Sequence, residues 1–181
     1  SPVFNGGIFL GIDNWLKDNF ESRVGIGVYS NTPATMQGNV WLFKDPATNF
    51  LAYSYHTSST RYLVEGKLLA KISDHFLPYF GYGLGVASNH LSGYTESVTE
   101  VMNTYVPPAG FQTNTTTSFT YDLAAGIEYA ILEHGRVSIA YQYNNMGKAS
   151  FSPSSTQATS QALSIANLQS NQLRIQLSYI T

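Results

Sequence analysis

Charged side chains at alternating positions are the feature of this sequence that could carry chemistry. Successive side chains of a β-strand point to opposite sides, so charges two residues apart share one face. Because both signs occur, the shared face could form an ion path or gate, or a salt-bridge network that fills a narrow interior. The candidate positions are Glu21, Arg23, Arg61, Glu65, Lys67, Lys71, Asp122, Glu128, Arg136 and Arg174. Asp13 is a further candidate, in a segment whose alternation is weaker.

Histidines beside hydroxyl groups are the second candidate. The sequence has four, His56, His75, His90 and His134. A histidine, a serine and an acid are the minimum for acyl transfer, and the first and third histidines lie near serines. The other two fall in short turns, where we expect them to be solvated. No predicted strand carries a His-x-Ser-Asn arrangement, so we predict no catalytic residue. No histidine pair has ligand spacing and cysteine is absent, so we predict no metal site and no cofactor.

Seven segments alternate between apolar and polar residues with a period of two, which indicates strands with two different faces. In the clearest segment, 119–131, Phe119, Leu123 and Ile127 share one face and Asp122 and Glu128 the other. No segment shows a helical period over three turns. The other segments are 4–13, which is weaker, and 20–30, 61–72, 76–86, 136–143 and 168–180.

The composition favours lipid over water as the surroundings of these strands. Charged residues make up 11% of the chain, against roughly 25% in soluble domains, yet no window approaches the ~18 apolar residues of a helical span. No charge falls on an apolar strand face, as expected where a charge near the midplane costs ~2–4 kcal/mol. A soluble carrier barrel, the alternative, should have apolar inward faces. Aromatic residues at strand ends suit membrane interfaces: Tyr62, Phe76, Tyr82, Phe119, Tyr129, Tyr143 and Tyr179.

The predicted connections alternate in length. Short turns are predicted at 17–19, 73–75 and 133–135, and long loops at 88–117 and 146–168. Outer-membrane barrels show this asymmetry, with short periplasmic turns and long extracellular loops. The loops are either a partner-binding surface or mobile segments without a binding constraint. Their candidate contact residues are Tyr94, Tyr105, Phe111 and Phe151.

Two runs resemble a known family. Residues 119–147, FTYDLAAGIEYAILEHGRVSIAYQYNNMG, resemble the sixth strand, short turn and seventh strand of the opacity-protein and outer membrane protein A type barrels. Residues 61–87, which include Gly81-Tyr82-Gly83-Leu84-Gly85, resemble their fourth and fifth strands. The resemblance covers most of the chain as a pattern and is specific for fold. It implies one domain over residues 1–181, an antiparallel up-and-down transmembrane β-barrel of eight strands in the bacterial outer membrane.

The chain departs from that family pattern in two ways. It ends Tyr179-Ile180-Thr181, where such barrels usually end in an aromatic residue. Segments 4–13 and 20–30 resemble strands two and three, so a first strand would be missing. Residues 34–57 could supply two more strands, or could prolong strands three and four beyond the membrane as a hairpin. The N-terminus carries no signal peptide, so we expect a mature or truncated form.

An eight-stranded barrel has an interior just wide enough for side chains, which favours the salt-bridge network over an ion path. Buried charges persist only when paired. We therefore expect the carboxylates of Glu65, Asp122 and Glu128 to pair with basic groups, namely Arg61, Lys67, Arg136 and Arg174.

Three functions follow as hypotheses. The first is a non-enzymatic, adhesin-like surface barrel whose long loops bind host or envelope molecules, as several resembling proteins do. The second is an acyl hydrolase or acyltransferase acting on lipid A, and the third is a small ion-conducting pore. Outer-membrane lipid and lipopolysaccharide are expected partners. The net charge of −2 gives no argument for nucleic acid, and the sequence favours no oligomeric state.

Overall fold

The computed structural model describes residues 4–17, 19–40, 51–98, 110–154 and 162–180. No helix in these segments is long and apolar enough to cross a membrane. The described chain is built from strands, numbered here in chain order: β1 (Phe4–Lys17), β2 (Phe20–Asn31), β3 (Ala34–Val40), β4 (Leu51–Ala70), β5 (Phe76–Val98), β6 (Asn114–Ala130), β7 (Gly135–Asn145), β8 (Ala149–Ser150), β9 (Ser164–Ile165) and β10 (Gln169–Ile180).

All seven predicted strands are confirmed. Each segment with period-two alternation corresponds to β1, β2, β4, β5, β6, β7 or β10, although segments 61–72, 119–131 and 168–180 extend one or two residues beyond their strands. The alternation works because a strand with one apolar and one polar face can separate two different environments. Residues 71–75 and 131–134 form short turns between paired strands, which confirms the turns predicted at 73–75 and 133–135 with slightly different bounds.

The strands close into a barrel. The main sheet contains eight strands in the order β2-β1-β10-β7-β6-β5-β4-β3, and pairing of β2 with β4 closes the ring. The predicted all-β, antiparallel barrel architecture is thus confirmed. The ladders between sequential strands are antiparallel, and the longest joins β4 to β5. The small β8–β9 sheet lies outside this ring.

The pairing of β1 with β10 is parallel and forms a seam. Its register runs from Phe4 opposite Leu173 to Gly11 opposite Ile180. The parallel direction follows from the number of strands around the ring. Strands β2 and β3 pair with successive parts of β4 and so share one position, which leaves an odd number of positions, seven, around the ring. With an odd number, strands that alternate up and down leave the first and last pointing the same way. Parallel ladders are slightly less stable per residue than antiparallel ones, so we expect the seam to be less stable per residue than the other ladders of the ring.

Residues 34–57 form the hairpin that extends the barrel wall. Strand β3 pairs with the first part of β4, from Ala34 opposite Thr57 to Val40 opposite Leu51. Of the alternatives that the sequence left open, the prolonged hairpin is therefore correct. The tip, residues 41–50, lies outside the described residues.

The predicted long loop 88–117 is corrected by the structure. Strand β5 continues to Val98 and β6 begins at Asn114, with Leu91 opposite Asn114 in the ladder. These residues are rich in serine, threonine and asparagine and lack an apolar outward face. A strand with water on its outer side therefore resembles a loop in composition.

Inside and outside are inverted relative to a soluble protein. The outward side chains of the ring form an exposed apolar belt, while charged and amide side chains are buried in the lumen. On β5 the belt runs from Phe76 to Val86, eleven residues, which matches the ~9–11 residues of a transmembrane strand. In the described strands no charged side chain faces outward within the belt.

Placing a charge on the belt tests its contact with lipid. Leu123 lies in the middle of the outward face of β6 and is 46% exposed. Leu123→Arg is expected to cost ~2–4 kcal/mol of unfolding free energy in lipid vesicles, measured by urea titration. Asn171→Arg, on the outward face above the belt, is the matched control and should cost much less. Equal stability of the two variants would argue against a lipid-facing belt.

Candidate functional site

A buried network of charges fills the lower lumen, and Arg23 is its centre. The guanidinium group donates to Asp13 Oδ1 at 2.5 Å, to Glu21 Oε1 at 2.5 Å and to Glu128 Oε1. The second oxygen of Glu128 lies 3.4 Å from Lys67 Nζ. Arg23, Glu21 and Glu128 have fully buried side chains. Three carboxylates thus surround one guanidinium group, and β1, β2 and β6 are tied together across the lumen.

A second set of ion pairs lies beside the first. Arg174 Nη1 donates to Glu65 Oε1 at 2.7 Å, and the Tyr29 hydroxyl donates to Glu65 Oε2 at 2.6 Å. Arg61 Nη1 lies 3.7 Å from Asp122 Oδ2. Since Arg174 is on β10 and Glu65 on β4, this pair joins strands that are not neighbours in the sheet.

The structure brings together eight of the ten charged residues predicted for the interior and places two differently. Arg136 is only half-buried, with Nε 4.0 Å from Glu128 Oε1. Including Lys71 was wrong, because β4 ends at Ala70 and Lys71 pairs with Asp74 in the exposed turn at 2.8 Å. The hydrogen bond from Lys71 lowers the pKa of Asp74. The eight are Glu21, Arg23, Arg61, Glu65, Lys67, Asp122, Glu128 and Arg174.

Aromatic partners of the network were missed. Lys67 Nζ lies 4.8 Å from the ring centroid of Phe9, and the Arg174 guanidinium carbon lies 5.0 Å from that of Tyr29. Both rings are fully buried. The sequence did contain a signal for them. Phe9 is an even number of residues from Asp13, and Tyr29 an even number from Arg23, so each ring shares the inward face of its strand.

Glycines make room for this network, as the alternation in β5 suggests. A Cβ atom at Gly83 would lie 2.7 Å from Asp122 Oδ1, on the strand opposite. The inward glycines of β5 thus leave space for large charged side chains from other strands.

An apolar cluster closes the extracellular end of the lumen, and we call it the mouth cluster. Phe151 is 2% exposed, and its ring centroid lies 5.4 Å from that of Tyr55 and 5.6 Å from that of Tyr94. The lumen is therefore filled at two levels, by charges below and by apolar side chains above. The buried members are Tyr55, Ala87, Leu91, Met146, Ala149, Phe151 and Leu168.

The described parts of the segment 146–168 are held over the mouth by specific hydrogen bonds. Asn89 Nδ2, inside the lumen, donates to the carbonyl oxygens of Met146 at 2.7 Å and Lys148 at 3.0 Å. The backbone N–H of Met146 donates to Leu168 at 2.8 Å, and that of Leu168 to Gly147 at 2.7 Å. Because the two ends of the segment bond to each other, its described parts, 146–154 and 162–168, form a fixed cover.

The predicted loop contact residues are corrected accordingly. Phe151 is buried in the mouth cluster, while Tyr94 and Phe111 are partly buried against it. Burial raises the pKa of Tyr94, whose hydroxyl donates to Glu96 Oε1 at 2.5 Å. Tyr105 lies outside the described residues. The aromatic residues of these segments thus stabilise the mouth from within.

The histidines divide between the two ends of the barrel. Near the extracellular end, His56 Nδ1 lies 3.2 Å from the Thr35 hydroxyl, and His90 Nδ1 lies 3.0 Å from that of Thr115. Near the other end, His75 is exposed, and His134 Nδ1 donates to the carbonyl oxygen of Ile180 at 2.9 Å. The lipid A-modifying alternative stays a prediction, as does the expectation of no catalytic residue.

The closed ring, the exposed apolar belt and the ladders that pair each strand of the ring on both sides define a transmembrane β-barrel protein. Within that class, the chain belongs to the family described as outer membrane protein beta-barrel domain, whose profile matches residues 4–180. This membership points to the bacterial outer membrane. Comparisons with curated proteins and with solved structures gave no match.

Proposed function

We propose that this protein is a non-enzymatic surface barrel that holds a partner-binding wall above the outer membrane, in the manner of an adhesin. The observation that carries the proposal is the length of β5. It contains 23 residues, and the twelve residues beyond the belt, 87–98, extend roughly 40 Å along the strand. A barrel that served only as an anchor would not need such an extension.

The extended part, which we call the outer wall, consists of β3 and residues 51–58, 88–98 and 114–117. Its outward side chains are mainly amides and hydroxyls, with the imidazoles of His56 and His90, and a shallow groove crosses its upper part. Serine and asparagine give adaptable hydrogen bonding to a protein partner. Side chains along the groove include Gln37, Asn39, Ser54, Thr95 and Ser97.

The filled lumen supports an interaction role over a pore. An ion path requires a continuous polar channel, whereas here the buried network and the mouth cluster occupy successive levels of the described lumen. The partner surface proposed here is the outer wall, whereas the sequence placed it on the loops 88–117 and 146–168. The described parts of the second cover the mouth, and residues 88–98 and 114–117 of the first are strand and supply the wall.

Binding of proteoliposomes to immobilised extracellular-matrix glycoproteins tests the proposal. Full-length protein should bind fibronectin- or laminin-coated surfaces, and the double variant Ser54→Arg/Thr95→Arg should bind about tenfold less, because two long charged side chains obstruct the groove. These two hydroxyls lie 2.9 Å apart on adjacent strands. Asn171→Arg, on β10, is the control and should bind like the unmodified protein.

Two results would contradict the proposal. One is equal binding by the wall variant and the control, which would place recognition elsewhere. The other is no binding above that of protein-free vesicles on either glycoprotein.

A further inference from the structure

A layer of buried polar side chains lies in the lumen between the charge network and the mouth cluster, and we call it the polar layer. On the inward face of β4, Arg61 is six residues above Lys67 of the network and six residues below Tyr55 of the mouth cluster. Each member of the layer is at most 4% exposed. The members are Asn5, Arg61, Asp122, Gln142, Asn144 and Gln172.

Contacts across the lumen place these side chains at one level. Asn5 Nδ2 on β1 donates to Gln142 Oε1 on β7 at 3.1 Å, and Gln142 Nε2 donates to Asp122 Oδ2 on β6. The same carboxylate oxygen lies 3.7 Å from Arg61 Nη1 on β4. Gln172 on β10 is opposite Gln142 in the ladder. The polar layer therefore extends from both strands of the seam to β4.

Six buried atoms of the polar layer have no hydrogen-bond partner among the described residues. Three of them are donors and three are acceptors: Nε, Nη1 and Nη2 of Arg61, and the side-chain oxygens of Asn5, Asn144 and Gln172. A buried polar group without a partner destabilises the fold, and a charged group does so most. We therefore expect a ligand from solution to complete these hydrogen bonds.

Turning the amides over does not supply the missing partners. The ionised Asp122 carboxylate can only accept, so Gln142 must present Nε2 to it and Oε1 to Asn5. Asn5 then uses Nδ2, and its Oδ1 stays without a partner. In Asn144, Nδ2 donates to Ser170 Oγ at 3.5 Å, so turning this amide would exchange one unpartnered atom for the other.

The unpartnered atoms specify the chemistry of the ligand. It must accept hydrogen bonds from the Arg61 guanidinium group and donate to amide oxygens, which neither a halide nor a metal ion can do. An anion would also meet the Asp122 carboxylate. The ligand must be small, because an eight-stranded barrel is just wide enough for its side chains and this ring has seven positions. Water meets these conditions.

We propose that the polar layer binds a cluster of internal water molecules that joins the seam to β4. Arg61 donates to this cluster, which in turn donates to Asn5 Oδ1 on β1 and Gln172 Oε1 on β10. A buried water makes ~3 hydrogen bonds, so the six unpartnered atoms correspond to about two water molecules. The site goes beyond the proposed function and lies away from the outer wall, so the two proposals can fail independently.

The position of the polar layer predicts slow exchange of this water with solvent. The mouth cluster and the described parts of the cover close the lumen above it. Below it, the Arg174–Glu65 ion pair and the charge network around Arg23 occupy the lumen. Water in the layer can then exchange only when one of these levels opens.

Nuclear Overhauser spectroscopy between water and the refolded full chain in detergent micelles tests the site. We expect cross peaks from water to the carbon-bound protons of Asn5 Cβ and Gln172 Cγ, with the sign of slowly exchanging water. Arg61→Met keeps a long side chain but removes every donor, so these cross peaks should be lost. Arg136→Met removes a half-buried guanidinium group outside the layer and is the matched control, which should keep them.

Gln172→Leu is a second test that leaves the ion pair of Arg61 and Asp122 in place. It removes one acceptor, so the cross peaks of Asn5 should lose intensity. The heat-dependent gel shift checks that each variant folds. Absence of slowly exchanging water at these positions in the unmodified protein would overturn the proposal. So would unchanged cross peaks of Asn5 in both variants, since the signal would then come from an exchanging hydroxyl such as that of Ser170, which both retain.

Discussion

Arg23→Ala is expected to cost about 3–5 kcal/mol of unfolding free energy, because it leaves buried carboxylates without their central cation. Asp13, Glu21 and Glu128 all receive hydrogen bonds from this guanidinium group. Urea titration in lipid vesicles measures the loss, and the gel-shift temperature should fall with it. Arg136→Ala is the matched control: its Nε lies 4.0 Å from Glu128, and such a peripheral pair contributes ~0–1 kcal/mol.

A double variant separates charge from packing. Adding Glu128→Gln to Arg23→Ala removes one of the repelling carboxylates, so the double variant should be more stable than Arg23→Ala alone. A network that contributes only packing volume would give no such recovery. If Arg23→Ala unfolds at the same urea concentration as Arg136→Ala, the buried charges do not stabilise the barrel.

The sequence could predict which charges point inward but not how they pair. The parity of Arg174 along its strand is a local property, fixed by a period of two. Its pairing with Glu65 depends on the stagger of β10 and β4 across the lumen, and no local pattern encodes that stagger. The same limit applies to Lys71, whose parity was correct but whose strand ends one residue earlier.

In the outer wall, the alternation of apolar and polar residues no longer predicts the strands. Within the belt, the difference between lipid and lumen imposes an apolar and a polar face. Above the belt both environments can accept hydroxyl groups, so residues 88–98 and 114–117 lose the contrast although their ladder continues. Backbone pairing persists there because the hydrogen bonds of the ladder do not require an apolar face.

The mouth cluster could not be predicted because its members are distant in sequence. Tyr55, Leu91 and Phe151 come from three different segments. An aromatic residue in a segment rich in serine and threonine is as consistent with an exposed contact as with a buried anchor. Only the fold of the cover over the lumen distinguishes the two.

The seam was likewise hidden from the sequence. Several inward polar atoms of β1 and β10 have no hydrogen-bond partner among the described residues, including Asn5 Oδ1, Gln172 Oε1 and Gln176 Nε2. Buried polar atoms without a partner also occur on other strands, including all three guanidinium nitrogens of Arg61 on β4, so it is the parallel pairing that distinguishes the seam. When the ring opens, we expect it to open there, while the antiparallel β4–β5 ladder remains intact longest.

Phe151→Ala is expected to open the mouth without unfolding the barrel. Removing a buried phenylalanine costs ~3–5 kcal/mol of packing, and that loss falls on the cover, which rests on the mouth cluster. The segment 146–168 should become sensitive to added protease in vesicles, and the amides of Met146 and Leu168 should exchange hydrogen faster. Leu163→Ala, an exposed side chain in the same cover, is the control and should behave like the unmodified protein.

Comparing the two variants shows whether the loss of Phe151 opens only the cover or destabilises the whole barrel. If Phe151→Ala lowers the urea midpoint as much as Arg23→Ala, the mouth cluster and the charge network unfold as one unit. If the cover stays protease-resistant, Phe151 does not hold it. We expect neither, because Phe151 lies above the belt and Arg23 within it, with no shared partner. The Phe151→Ala/Arg23→Ala variant should then combine the protease sensitivity of the first change with the urea shift of the second, and that shift should equal the shift of Arg23→Ala alone to within about 0.5 kcal/mol.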